Sequence, residues 1–295
     1  FMRKTFKVAA LALVATAMLV GCGKSDGTVK VTGPYLTGEK AKTTYNALLT
    51  YNLSSLNNAI TAHSEDGQHI ANFVDGLLEN DEFGRLSKAL AESIEVNAGF
   101  TKFTFTIKED IPWLKSDGTQ YSANVSGTLV PQFVTADDFI TTFKYCMDYS
   151  NPDLWSDTYY LPAMFLQGGW EYWGATYATY LYPANGLEAT PERIAGFLLR
   201  NGFSTDVTAA DIPDVLAFKR VGAKALTDGR LQLSLADSMP YFASVLTYSC
   251  FLPMNAKFVD EIGYANFGTT KDNFLYNGAY RLTSWNEGQI EYTKN

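Results

Sequence analysis

At 295 residues, 46% of them hydrophobic and 14% aromatic, the chain is long enough for one or two domains with a substantial core. Its formal net charge of −8 repels phosphate backbones and argues against a nucleic-acid partner. After residue 22 no apolar run approaches the roughly 20 residues that a membrane-spanning helix needs.

The chain begins with a basic flank, Arg3, Lys4 and Lys7, followed by an apolar run from Val8 to Val20. Leu19-Val20-Gly21-Cys22 ends that run as a bacterial lipobox, which predicts an exported protein acylated at Cys22. A leader over 1–22 makes the mature protein more acidic, since it carries cations and no acids. Residues 23–44 lack periodicity and suit a flexible spacer between lipid and domain.

A strand is expected from Thr43 to Tyr51, then a loop over Ser54–Asn58. Ile70, Phe73, Val74, Leu77 and Leu78 share one helical face, which predicts a helix from His69 to Leu78. Asn80–Gly84 ends it as a solvated turn. Phe103, Phe105 and Ile107 alternate with Thr104, Thr106 and Lys108, as in a half-buried strand. Thr135-Ala136-Asp137-Asp138 opens a helix with core residues Phe139, Phe143, Cys146 and Met147. Asn151 to Tyr182, rich in Trp, Tyr and Gly, reads as a loop-rich surface whose rings serve packing or recognition. Thr190-Pro191-Glu192 caps a further helix. Asp228-Gly229 joins two short strands as a hairpin. Cys146 and Cys250 could pair outside the cell, but two free buried thiols are the preferred reading. Phe1 ahead of Met2, and an end at Lys294-Asn295 within a strand pattern, suggest part of a longer protein.

Signals for catalysis are few. His63 and His69 share no helical face and have no cysteine nearby, so no metal site is expected. Asp137-Asp138 is better explained as a helix start than as a catalytic pair. No Gly-x-Ser-x-Gly elbow or phosphate-cradling loop is present, so neither a catalytic residue nor a cofactor is assigned.

The ordered motifs resemble the oligopeptide-binding lipoproteins of ABC importers, the peptide/nickel-binding type of solute-binding family 5. Val74-Asp75-Gly76-Leu77-Leu78-Glu79-Asn80-Asp81 carries the resemblance first, and Phe103–Lys108 with Trp113 and Asp117-Gly118 continues it. Val134–Phe139, Val221–Leu226, Pro240-Tyr241-Phe242 and Asn277–Leu282 with Trp285 follow in order. The stretch from Trp155 to Thr208 departs from the family pattern in its length and aromatic content, and members of the family are nearly twice as long.

The resemblance implies an α/β, class II periplasmic-binding-protein-like fold: two lobes and an extra domain, truncated here before most of the second lobe. Residues 45–75 and 225–285 would form the first lobe, 76–224 the added α/β domain, and 286–295 the start of the second lobe. An extended oligopeptide would lie in the cleft, against Ser54, Ser55, Leu56 and Asn57 and against Tyr248, Ser249 and Phe251. The acid that commonly captures the peptide amino terminus would lie in the second lobe. Implied partners are the permease subunits and, through the lipid, the outer face of the cell membrane. Peptide sensing or adhesion on the same fold is an alternative. An exported lipoprotein hydrolase is less well supported.

Overall fold

The computed structural model describes residues 44–48 and 51–295. The expected leader, Cys22 and nearly all of the expected spacer lie outside the described residues. Two compact units divide the chain at Leu49/Thr50. In the first, Thr44–Leu48 has no regular structure, and Tyr45 and Leu48 are exposed. The expected strand is therefore not formed over these residues. Apolar residues at strand spacing make a strand only where another strand supplies ladder bonds.

The second unit is built on a four-stranded antiparallel sheet of β3 (Ala91–Val96), β4 (Lys102–Ile107), β8 (Leu231–Ser234) and β7 (Ala223–Ala225), in that order. Three separate hairpins accompany it: β1 (Leu78–Asn80) with β2 (Leu86–Lys88), β5 (Ser122–Val125) with β6 (Thr128–Pro131), and β9 (Tyr280–Asn286) with β10 (Gln289–Lys294). The Asp228-Gly229 turn joins β7 and β8 as expected, pairing Ala223 with Leu233 and Ala225 with Leu231. Gly229 takes φ +81°, which a side chain would disfavour.

The helices are α1 (Ser64–Phe73), α2 (Ala136–Met147), α3 (Tyr160–Phe165), α4 (Gly169–Ala184), α5 (Pro191–Arg200), α6 (Ile212–Leu216), α7 (Phe242–Val245) and α8 (Ala256–Ile262). Their placement follows from where the rings go. Phe103 and Phe105 of β4 are buried, and Phe103 packs on Phe242 of α7 with centroids 5.2 Å apart. Phe143 of α2 meets Phe251 at 5.6 Å on the same core. A smaller cluster joins Ala175 and Ala178 of α4 to Leu198 of α5 and Val215 of α6.

Helix α2 starts as its sequence predicts. Thr135 is the N-cap, its backbone N–H donates to Asp138 Oδ2 at 2.8 Å, and Phe139, Phe143, Cys146 and Met147 are buried. Helix α5 begins at Pro191, with Thr190 Oγ1 accepting from the Arg193 N–H. Cys146 and Cys250 are free and buried. Burial pushes the Cys146 thiol up to about 11, so it is unreactive at neutral pH.

Two expected elements are corrected. The helix placed over 69–78 runs from Ser64 to Phe73. Val74 is extended, because the Phe73 carbonyl accepts the N–H groups of Asn277 and Gly278 and the Asp75 N–H donates to Asn277 Oδ1 at 2.9 Å. Leu77 and Leu78 are still buried, but from a turn and from β1. The second correction concerns 151–182, which is largely helical rather than loop-rich. Its glycines permit close packing within or beside helices. A Cβ on Gly174 would lie 2.7 Å from Leu198 Cδ2, and one on Gly169 would lie 2.6 Å from the Ala163 carbonyl oxygen. The rings pack on one another: Trp173 stacks on Tyr159 at 5.1 Å and on Tyr177 at 5.4 Å.

Candidate functional site

The loop over 52–58 is shaped by a buried carboxylate. Asp66 of α1 is 1% exposed. It accepts the Ser54 N–H at 2.8 Å, the Ser54 hydroxyl at 2.7 Å and the Thr61 hydroxyl at 2.8 Å. Hydrogen bonds to a carboxylate are stronger than neutral ones, so the loop is held firmly at Ser54. Ser55 Oγ accepts the Asn57 N–H at 2.9 Å, closing a tight local turn.

From the other side the loop is pressed against Gly268. The Leu56 N–H donates to the Gly268 carbonyl at 2.9 Å, and Asn57 Nδ2 donates to the Phe267 carbonyl at 3.3 Å. Gly268 has φ +72°, and a Cβ there would lie 2.3 Å from the Asn57 nitrogen. Asn58 then reaches the second expected ligand segment. Its Nδ2 lies 3.3 Å from the carbonyls of both Ser249 and Leu252. The structure therefore brings the Ser54 loop and the Tyr248 segment together.

Their side chains divide into two sets. Ser54 and Tyr248 are exposed, and Ser55 and Ser249 are half-buried. Leu56, Asn57 and Phe251 are buried in the core, where they set the shape of the loop instead of presenting side chains to solvent.

Beside the loop lies a cleft of about 610 Å³. Asn52 and Leu53 line one wall, Lys271 and Asp272 another, and Trp285 and Ile290 of the β9–β10 hairpin a third. Thr269, Thr270, Thr283 and Ser284 add neutral hydroxyls. Lys271 Nζ pairs with Asp272 Oδ1 at 2.8 Å, and the Ser116 hydroxyl also donates to that carboxylate. The Lys271 ammonium and then Ser116 hold the Asp272 carboxyl below the usual range, so it stays ionised at neutral pH. Arg281 braces the same corner through the Ser116 carbonyl at 2.7 Å. Among the described strands β9 pairs only with β10, so one edge of β9 carries no ladder. Such an edge can accept an extended chain.

Trp285 is the one member of the cleft wall that the sequence motifs had singled out. Asn52, Leu53, Lys271 and Asp272 belong to no recognisable pattern, and only folding brings them together. His63 is exposed at the N-cap of α1 and makes no side-chain capping bond, and His69 is buried with Nδ1 bonded to Tyr292, so the two rings do not share a site. Among the described residues no group of three or more His, Cys, Asp or Glu is placed to hold a metal ion.

The fold agrees with the comparisons to known proteins. The sequence profile described as bacterial extracellular solute-binding proteins, family 5 Middle, matches residues 85–295, and the chain belongs to that family. Its architecture is that of the class II periplasmic-binding-protein-like, α/β solute-binding proteins. The chain is 28% identical to the oligopeptide-binding protein AmiA of Streptococcus pneumoniae over 295 residues, 99% of this chain and 35% of that protein. It is 24% identical to the oligopeptide-binding protein OppA of Bacillus subtilis over its whole length and 43% of that protein. Among solved structures, the substrate-binding domain of an oligopeptide ABC transporter from Bacillus anthracis superposes with a TM-score of 0.58 at 21% identity. That match covers 85% of this chain and 37% of the other. Listeria monocytogenes OppA bound to peptide gives 0.57 at 21% identity, over 85% and 38%. The chain thus spans between a third and a half of the length of these relatives.

Proposed function

We propose that this chain forms one face of the ligand cleft in an extracytoplasmic binding protein that captures oligopeptides and hands them to an ABC importer. The observation that carries this reading is the cleft between Asn52–Leu53, at the start of the Ser54 loop, and the unladdered β9 strand. Asn58 ties the Tyr248 segment to that same loop, although neither Ser54 nor Tyr248 lines the cleft itself. Main-chain bonds to an extended peptide would supply affinity, and hydroxyl-rich, roomy walls would tolerate many side chains through bridging water. Ser54, Ser55, Tyr248 and Ser249 would touch the ligand. Leu56, Asn57 and Phe251 would fix the loop from behind. The names of AmiA and OppA as oligopeptide-binding proteins, and the peptide bound to the Listeria protein, support this ligand class.

In this reading residues 45–75 and 225–285 belong to the first lobe, 76–224 to the added domain, and 286–295 lead toward a second lobe. Closure of the two lobes would bury the peptide and present the closed form to permease subunits. Isothermal titration of the protein carrying both lobes is the test. Heat with peptides of a few residues and none with free amino acids is expected. No response to any peptide would overturn the proposal.

Attachment to the outer face of the membrane through acylated Cys22 completes the reading. Cys22→Ser is expected to release the protein into the medium or leave it unprocessed. Cell fractionation that finds the variant retained like the wild type would remove the lipid anchor from the account.

A further inference from the structure

Two walls of the cleft are joined from behind by one imidazole. His69 of α1 is 5% exposed and sits between two tyrosines. Tyr51 meets it edge to face at 5.9 Å, and Tyr51 directly precedes Asn52 and Leu53 of the cleft wall. On the other side Tyr292 of β10 hydrogen-bonds His69 Nδ1 and also packs on Phe73 at 4.8 Å. Tyr292 lies two residues after Ile290, which lines the opposite wall. His69 Nε2 is buried with no hydrogen-bond partner among the described residues.

The groups that face this ring are few. Asp66 lies on its own helix, Tyr51 comes from the segment entering the lobe, and Tyr292 comes from β10. His63, the other imidazole, is exposed at the N-cap of α1. Asp66 is the carboxylate that already accepts the Ser54 N–H, the Ser54 hydroxyl and the Thr61 hydroxyl.

From this arrangement we infer that His69 is a positioning residue for the peptide cleft: its neutral ring holds the Asn52–Ser54 wall against the β9–β10 wall, and its protonation releases them. The inference rests on the peptide-binding reading of that cleft. A neutral imidazole needs one donor and one acceptor contact, and Tyr292 supplies one of them. A protonated ring has two N–H donors, and among the described residues Nε2 has no acceptor. Among the described residues the only carboxylate facing it is Asp66, and turning Asp66 toward the imidazolium takes it away from Ser54. Burial holds the imidazole below its ordinary value, and Asp66 opposes that only in part. A depressed histidine contributes order that is complete above pH 6.5 and is lost as pH falls through its lower folded value. The cleft edge is therefore tight at neutral pH and loosens in acid.

The test follows the protein without ligand and with it. In nuclear magnetic resonance of the whole chain, the His69 ring, the Ser54 amide and the Trp285 indole are expected to shift with one common midpoint below pH 6.5. His63→Gln assigns the two imidazoles. Peptide affinity is expected to fall at least fivefold between pH 7.5 and pH 5.0, and less than twofold in His69→Gln. Ser54 and Trp285 signals that stay fixed while His69 titrates would overturn the inference, and so would the same affinity profile in both proteins. The ligand-free midpoints need no variant and decide the matter if His69→Gln does not fold. They also separate this inference from the peptide reading, which fails on its own if no peptide binds at any pH.

Discussion

Gly268→Ala is expected to destabilise the chain by about 2–5 kcal/mol, from left-handed strain together with overpacking. The residue has φ +72°, where a non-glycine residue is strained. The larger effect is steric. The new methyl would sit 2.3 Å from the Asn57 nitrogen and 2.6 Å from the Leu56 carbonyl carbon, both backbone atoms that no rotamer change can clear. The loop must move, which breaks the Leu56 N–H bond to Gly268 and shifts Ser54 and Ser55 at the cleft edge. Urea unfolding of the variant is expected to give a clearly lower midpoint. A variant with the wild-type midpoint would show that the loop does not pack on Gly268 as described.

Asp138→Ala is the second large effect, and it carries a pH signature. Asp138 is 3% exposed and organises three segments. It accepts the Thr135 N–H at 2.8 Å, the Trp113 indole N–H at 3.1 Å and the Asn255 amide at 3.4 Å. Alanine leaves the buried Trp113 and Asn255 donors without this partner and removes the bond at the exposed Thr135 N-cap. At about 1–3 kcal/mol for each unsatisfied group, a loss of about 3–5 kcal/mol is expected. Burial is the largest influence on this carboxyl and pushes it up to about 7, against the lowering effect of its hydrogen-bond donors.

The sign of the linkage follows from that rise. The folded state holds a proton that the unfolded state gives up near pH 4. This group's contribution is complete below pH 4 and is lost as pH rises toward 7. The gap in stability between wild type and Asp138→Ala should therefore be widest near pH 4 and narrow by pH 8. Thermal melts across that range measure it. A gap that widens with pH would mean that Asp138 is ionised in the fold and that its donors outweigh its burial.

The elements legible in the sequence are those whose signals are local. Thr135 with Asp138, Thr190 with Pro191, and Asp228-Gly229 each place chemistry within a few residues, and each marks the boundary expected of it. Where tertiary contacts decide, the pattern misleads. The apolar spacing through Leu78 continues past the helix end, because Asn277 and Gly278 capture the Phe73 carbonyl from 200 residues away. The glycines among the aromatics suggested a loop, yet two of them are sites where a helix meets Leu198, Phe203 or the Ala163 backbone.

The candidate site divides in the same way. The family motifs pointed to the Ser54 loop and the Tyr248 segment, and Asn58 ties the two together. Asp66, Gly268 and the Lys271–Asp272 pair were not legible. Asp66 lies ahead of the helix expected from His69, and nothing in its neighbourhood reveals that Ser54 and Thr61 will turn toward it.

The central claim is that a peptide is held between this chain's cleft face and a second lobe. Calorimetric titration of residues 23–295 and of a longer chain carrying both lobes, with the same mixed peptide library, tests it most directly. With one face only, the peptide loses several main-chain bonds worth about 1 kcal/mol each, and each 1.4 kcal/mol is about a factor of ten in affinity. The account predicts firm binding by the two-lobed protein and binding at least tenfold weaker by residues 23–295. Equal affinity in the two would place the whole site within this chain and contradict a cleft shared between lobes.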